Sequence, residues 1–127
     1  MTQQLTIDIP ADQWQSSNQR LHHMERARRT RHVRTLAGHL GRQHLTPEPG
    51  PVHVMAFVAS PTNRKADVGN SYPTVKACVD GALTDAGILP DDNDHYLVGP
   101  DMRRDAPTKI PGLYRIRLVI TPQTHDF

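Results

Sequence analysis

The chain has 127 residues, of which 36% are hydrophobic and 5% aromatic, enough for one modest core and too few for two independent ones. Its single cysteine, Cys78, excludes an internal disulfide framework, and its longest nearly apolar run, Val52 to Ala59, is far below the roughly 20 residues that span a bilayer. The N-terminal stretch MTQQLTIDIPADQW has neither the basic start nor the long apolar centre of a signal peptide, so a cytosolic, reducing compartment is expected, without membrane contact. The net charge is only +2, but the arginines crowd the first third and the acids lie mainly between Asp67 and Asp105.

Leu5 to Ile9 alternates apolar and polar residues before Pro10, the pattern of a short strand. Ala11 to Asn18 reads as a polar loop carrying the only tryptophan, Trp14, whose place in the core or against a second chain stays open. From Leu21 to about Gly41 there is no proline, and Val33, Leu36, Ala37 and Leu40 recur at helical spacing, which predicts a basic helix from about Arg28 onward. Arg20, Arg26, Arg28, Arg29, Arg31, Arg34 and Arg42 accompany Glu25 as the only nearby acid. That imbalance favours a polyanionic partner over a self-neutralised surface. His22, His23, His32, His39 and His44 have no thiolate or carboxylate at zinc-ligand spacing and are expected on the nucleic-acid or solvent side.

His44 to Pro51, which contains the stretch TPEPGP, is a rigid connector. Pro51 to Ser60, PVHVMAFVAS, is nearly continuously apolar and predicts a central strand buried on both faces. A polar loop, Pro61 to Tyr72, precedes a helix from Pro73 to Gly87, because proline is harmless in a first turn and glycine suits the position just past the end. Val75, Val79, Ala82, Leu83 and Ala86 form its apolar face, while Gly81 weakens its middle. His95 to Gly99 can form a short strand, and Gly112 to Pro122 alternates as a longer one. The pattern predicts a single small α/β (α+β) domain over 1–127, a mixed β-sheet with two main helices. Its basic helical segment is about 20–42 and its candidate catalytic segment about 61–95.

That last segment holds Asp67, Asp91, Asp92 and Asp94 among arginines and lysines. Carboxylate oxygens hold the hard divalent ions that activate water and neutralise a phosphodiester, although by spacing alone an acidic solvated turn is the commoner explanation. The order of short motifs says more. Asp67-Val68-Gly69-Asn70, then Tyr72-Pro73-Thr74-Val75-Lys76, Asp80-Gly81-Ala82-Leu83, Ala86-Gly87, Asp91-Asp92 and Gly99-Pro100-Asp101-Met102-Arg103 follow one another. Together they resemble the RusA family of Holliday-junction resolvases, especially phage-encoded members, over roughly residues 52 to 120.

The resemblance implies a Mg²⁺-dependent endodeoxyribonuclease, with Mn²⁺ as an alternative ion, working in the cytoplasm of the cell or of a phage host. It implies a homodimer that binds four-way DNA junctions and resolves them by paired symmetric nicks. Carried over by position, Asp67 and Asp92 are the metal carboxylates, Asp91 the neighbour of the pair, and Lys76 a group that steers phosphate or neutralises the leaving oxygen. For Lys76 the alternative is a helix-surface ion pair with Asp80. Asn70 is expected to cap the following helix or to orient a ligand carboxylate, and Asp80 to support the site from behind. Arg26, Arg28, Arg29, Arg31 and Arg34, with Arg64, Lys65, Arg103, Arg104 and Lys109 in flanking loops, are the expected phosphate contacts. Gly69 stands where the family usually has a second aspartate. Asp91, Asp80 or a backbone carbonyl fills that vacancy, or else the protein binds junctions without cutting them; a less selective metal nuclease is a third reading.

Overall fold

Alternating side chains make β1 (Gln3–Pro10) an amphipathic strand, with Leu5, Ile7 and Ile9 buried and their neighbours exposed. The computed structural model describes residues 1–63, 67–91, 93 and 95–123. Within them α1 (His23–His44), β2 (Val52–Ala59), α2 (Tyr72–Val79), β3 (Leu97–Arg104) and β4 (Leu113–Pro122) follow in order. A 3₁₀ turn (Val68–Ser71) leads into α2, and a π-helical segment (Asp80–Asp85) continues it. The four strands form one sheet in the order β1-β4-β2-β3, with β4 antiparallel to both its neighbours and β2 parallel to β3. β1, β2 and β3 therefore all point the same way, and both helices run back against them. This is a small α+β domain of one mixed sheet and two main helices.

Both helices cover the same sheet face. Leu5, Ile7, Ile9, Val52, Val54, Ala56, Ile116, Leu118 and Ile120 point into that layer, together with Val33 and Ala37 from α1 and Val75, Val79 and Leu83 from the second helix. The expectation that β2 is buried on both faces is corrected here: Val52, Val54, Ala56 and Val58 are buried, whereas His53, Met55 and Phe57 are half-exposed. Among the described residues no helix lies on the opposite face. There Asp8 pairs with Arg115 at 2.6 Å, Arg117 with Asp105 at 3.4 Å, and the Arg117 guanidinium lies 4.2 Å from the centre of the Phe57 ring. The near-continuous apolar run therefore reflects two different needs, a core on one side and a carpet for cross-strand charges on the other.

α1 starts at His23 and runs to His44, earlier and later than the apolar spacing predicts. His22 Nδ1 accepts from the Met24 amide at 3.2 Å, and Glu25 in the first turn ties down Arg28 at 2.7 Å and Arg29 at 2.8 Å. Gly41 stays inside the helix because of what it touches. A Cβ there would stand 2.4 Å from the Ala82 carbonyl oxygen, and one on Gly81 would stand 2.2 Å from that of Arg34. The two helices thus meet backbone to backbone. The expectation that Gly81 merely weakens its helix is replaced by a contact that admits no side chain, and the helix answers by widening to π geometry over Asp80–Asp85. Gly87, at φ 75°, ends it as expected.

β3 is longer than the predicted His95 to Gly99 strand and is displaced towards the C-terminus. Its register slips between His53 and Met55, which pair with Val98 and Asp101, so Gly99 and Pro100 form a bulge. Gly99 has φ 101°, and a Cβ on it would lie 2.7 Å from the Val54 carbonyl oxygen. No helix among the described residues is long and apolar enough to cross a membrane.

The helix contact is the most fragile point of the core. Gly81→Ala should destabilise the fold by about 1–3 kcal/mol or more, read as a lowered midpoint in urea, whereas Gly50→Ala, where nothing lies within 4 Å of the added carbon, should change it little.

Candidate functional site

Three parallel strands deliver their C-terminal ends to one edge of the sheet, a place where α/β sheets commonly receive ligands. A hollow of about 540 Å³ opens there, with Val58, Trp14 and Tyr114 as its apolar part and Ser60, Asp67, Asn70 and Arg104 among its polar lining. Trp14 is buried and its ring stacks on Tyr114 at 4.2 Å, inclined by 11°. That settles its open position: it belongs to the core beneath this edge.

Asp67 is exposed in the hollow, and one oxygen of its carboxylate accepts the Gly69 amide at 2.9 Å, capping the 3₁₀ turn. A Cβ at position 69 would lie 3.3 Å from that same oxygen, so the position where a second carboxylate is expected does adjoin the first. Arg104 lines the hollow, whereas Arg103 does not. Arg103 pairs with Phe57 and Arg104 with Val58, and adjacent strand residues face opposite sides of the sheet. Lys76 forms the helix-surface ion pair with Asp80, at 3.2 Å. Asp80 also faces Arg34 at 3.8 Å and so ties the two helices together. Asn70 does not cap α2: the residue before that helix is Ser71, which makes no side-chain cap bond. Asn70 instead receives the Ser17 amide on its backbone oxygen at 2.8 Å and the Ser17 hydroxyl on its side-chain oxygen at 3.4 Å.

Asp91 lies elsewhere. It follows the second helix and accepts a hydrogen bond from the Asn93 side chain at 3.1 Å. The adjoining chain is fixed at the start of β2, through Glu48 to Ile88 at 2.8 Å and Val52 to Tyr96 at 2.9 Å. Asp67 follows the end of β2. The two aspartates therefore occupy opposite ends of the β2/β3 pair, separated by eight residues of strand, on the order of 25 Å. Asp92, Arg64 and Lys65 lie outside the described residues. Among the described residues no three histidine, cysteine, aspartate or glutamate side chains stand close enough to hold a metal ion. Among the described residues, the donor set at Asp67 within one chain does not fit the Mg²⁺ site that the resemblance implies, since a single carboxylate is far short of the oxygen shell this ion needs.

Of the expected phosphate-binding arginines on α1, most have structural partners. Arg26 donates to the Gln19 carbonyl, Arg29 to Glu25 and to the Trp14 carbonyl at 2.7 Å, and Arg34 to Asp85 at 2.5 Å. The hydrogen bonds from Arg28 and Arg29 hold the Glu25 carboxyl down to about 2, from an ordinary 4.5. The Asp85 carboxyl is likewise lowered, chiefly by its hydrogen bond with Arg34. His22, His23, His32, His39 and His44 are all exposed, as expected.

Sequence reasoning missed Gln15 and Thr74. Both are buried, and the Thr74 hydroxyl accepts the Gln15 amide at 2.9 Å while donating to the Gln15 carbonyl at 2.8 Å. The Gln15 side chain donates to Thr30 at 2.7 Å. This network fixes the loop after β1, whose Trp14 and Ser16 line the hollow, against both helices. The only signal was Thr74 within the Tyr72-Pro73-Thr74 motif, whose role is thus partly structural. No protein-family model and no curated protein matches the chain.

Glu25 offers a direct check on the anchoring of α1. Its pairs with Arg28 and Arg29 contribute stability that is present above the ordinary carboxylate value and lost as pH falls towards about 2. Carboxyl NMR should place its titration midpoint near that value, and Arg28→Gln should move it upward.

Proposed function

We propose that this protein is a structure-selective DNA endonuclease of the RusA type, a metal-dependent enzyme that acts on four-way junctions as a homodimer. The observation that carries the reading is the hollow at the strand ends, lined by both the exposed Asp67 carboxylate and Arg104, in a chain that also carries an arginine-rich helix. Arg104 supplies a bidentate donor for a phosphate, and Asp67 one hard oxygen ligand for a divalent ion. The ion would activate water and neutralise charge on the phosphodiester.

Because Asp67 and Asp91 stand at opposite ends of β2 and β3, they can act together only if a second chain brings its Asp91-Asp92 loop to the first chain's Asp67. A two-fold pair of chains would then build two equivalent sites, and neither chain alone would cut. Two symmetric sites also suit the two symmetric nicks that resolve a junction.

A shared site has a sharp genetic signature. Asp67→Asn alone, and Asp91→Asn with Asp92→Asn alone, should each abolish Mg²⁺-dependent cleavage of a labelled four-way junction while leaving its binding intact, because no cation is removed. Co-expression of the two variants should restore about a quarter of the wild-type sites, all in mixed dimers with one good site each, giving single nicks and no paired resolution. Absence of any restoration would overturn the shared site. Equal cutting of linear duplex would overturn junction selectivity.

Gly69, and Asp67 as the one carboxylate that the described residues bring to the hollow, favour a second reading, a junction-binding protein of the same type that no longer cuts. Binding of the wild-type chain with no product in Mg²⁺ or Mn²⁺ would establish it. Gly69→Asp, which sets a carboxylate beside Asp67, would then be the change expected to create activity.

A further inference from the structure

α1 has two sides with opposite requirements. Val33, Ala37, Gly38 and Gly41 are buried against the rest of the protein. The opposite side carries Arg28, Arg31, His32, Thr35, His39 and Arg42 along a shallow groove open to solvent, at spacings that place them on a single stripe. The arginines on the flanks, Arg26, Arg29 and Arg34, are engaged within the fold, and Arg28 is paired with Glu25. The side chains of Arg31, His32 and His39 have no hydrogen bond or ion pair among the described residues. Arg42 donates to a backbone carbonyl, that of Asp85 at 3.4 Å, whose carboxylate is already held by Arg34. Glu25 is the only acid in the helix, so nothing on α1 neutralises the stripe beyond its first turns.

We propose that this outer stripe is the surface that grips duplex DNA, lying across a groove so that Arg31 with His32 meets the phosphates of one strand and His39 with Arg42 those of the other. At 1.5 Å per residue the two pairs are about 14 Å apart along the helix, comparable with the roughly 12 Å width of the major groove. Thr35 and the half-buried Leu36 lie between them, short enough to let the backbones approach. The contact is to phosphates and carries no base reading, as a protein directed to branch geometry requires. The inference rests on the junction-binding reading above and assigns the duplex arms of that junction to residues other than most of those the sequence pattern points to.

The test is fluorescence anisotropy with the full chain, on a labelled four-way junction and on a linear duplex of one arm, across a salt series. Arg31→Gln combined with Arg42→Gln should weaken binding to both by about tenfold and flatten the plot of log affinity against log salt by about 1.8, the contribution of two phosphate contacts. A control with Arg115→Gln and Arg117→Gln, which removes the same charge from the ion pairs of the open sheet face, should stay within about twofold of the wild type. Thr35→Glu, which sets an acid in the middle of the stripe, should also weaken binding, and circular dichroism should show all variants folded. Unchanged binding in the stripe variants, or an equal loss in the control, overturns the proposal. If the stripe variants bind normally while Asp67→Asn still loses cleavage, this assignment fails and the nuclease reading stands; if the wild-type chain binds no DNA, both fail.

Discussion

The contact on which the rest of the molecule depends is the meeting of two helix backbones at Gly41 and Gly81. Each glycine lies where a single carbon would strike a carbonyl oxygen of the other helix. Helices that approach this closely behave as one slab, and a slab with one apolar side covers one sheet face. The consequences reach outward from there. The other sheet face is left to solvent and to cross-strand ion pairs, α1 turns its cationic side away from the protein, and the loops gather at two opposite ends of the strands.

Those two ends divide the acidic residues. A parallel pair joined through a helix must return to the starting end before the second strand begins, so whatever follows β2 and whatever precedes β3 are a full strand apart. Asp67 and Asp91 obey this constraint, and the adjoining loop is pinned by Glu48 and Val52. The chemistry proposed for the chain is therefore tied to pairing of chains. Under that proposal one chain would offer part of a carboxylate set at each end, and a two-fold axis would be the simplest operation to unite the parts.

The arginines of α1 show how charge in a sequence divides between structure and function. Arg26 and Arg29 hold the loop after β1 through the Gln19 and Trp14 carbonyls, and Arg34 clamps α1 to the second helix through Asp85 and Asp80. These bonds join segments that the hydrophobic contacts alone leave free to slide. Arg31 faces outward from α1, and Arg42 reaches only a backbone carbonyl, that of Asp85. A cation's angle around the helix thus decides how firmly the fold engages it.

Much of the architecture was legible beforehand because it follows from local rules. The alternation in Leu5 to Ile9 and in Gly112 to Pro122, the proline start and glycine stop of the second helix, and the mixed class of the domain all depend on neighbours in sequence, as does the Lys76–Asp80 pair. What remained hidden depends on residues far apart in the chain. The role of Gly81 is set by Arg34, that of Thr74 by Gln15, and the start of α1 by cap and ion-pair contacts that apolar spacing does not encode. The one-sided burial of β2 required knowing that both helices choose the same face. The motif order presents Asp67 and Asp91 as members of one cluster; only the tertiary structure places them at opposite ends of the sheet, because a parallel crossover separates in space what the chain lists in succession.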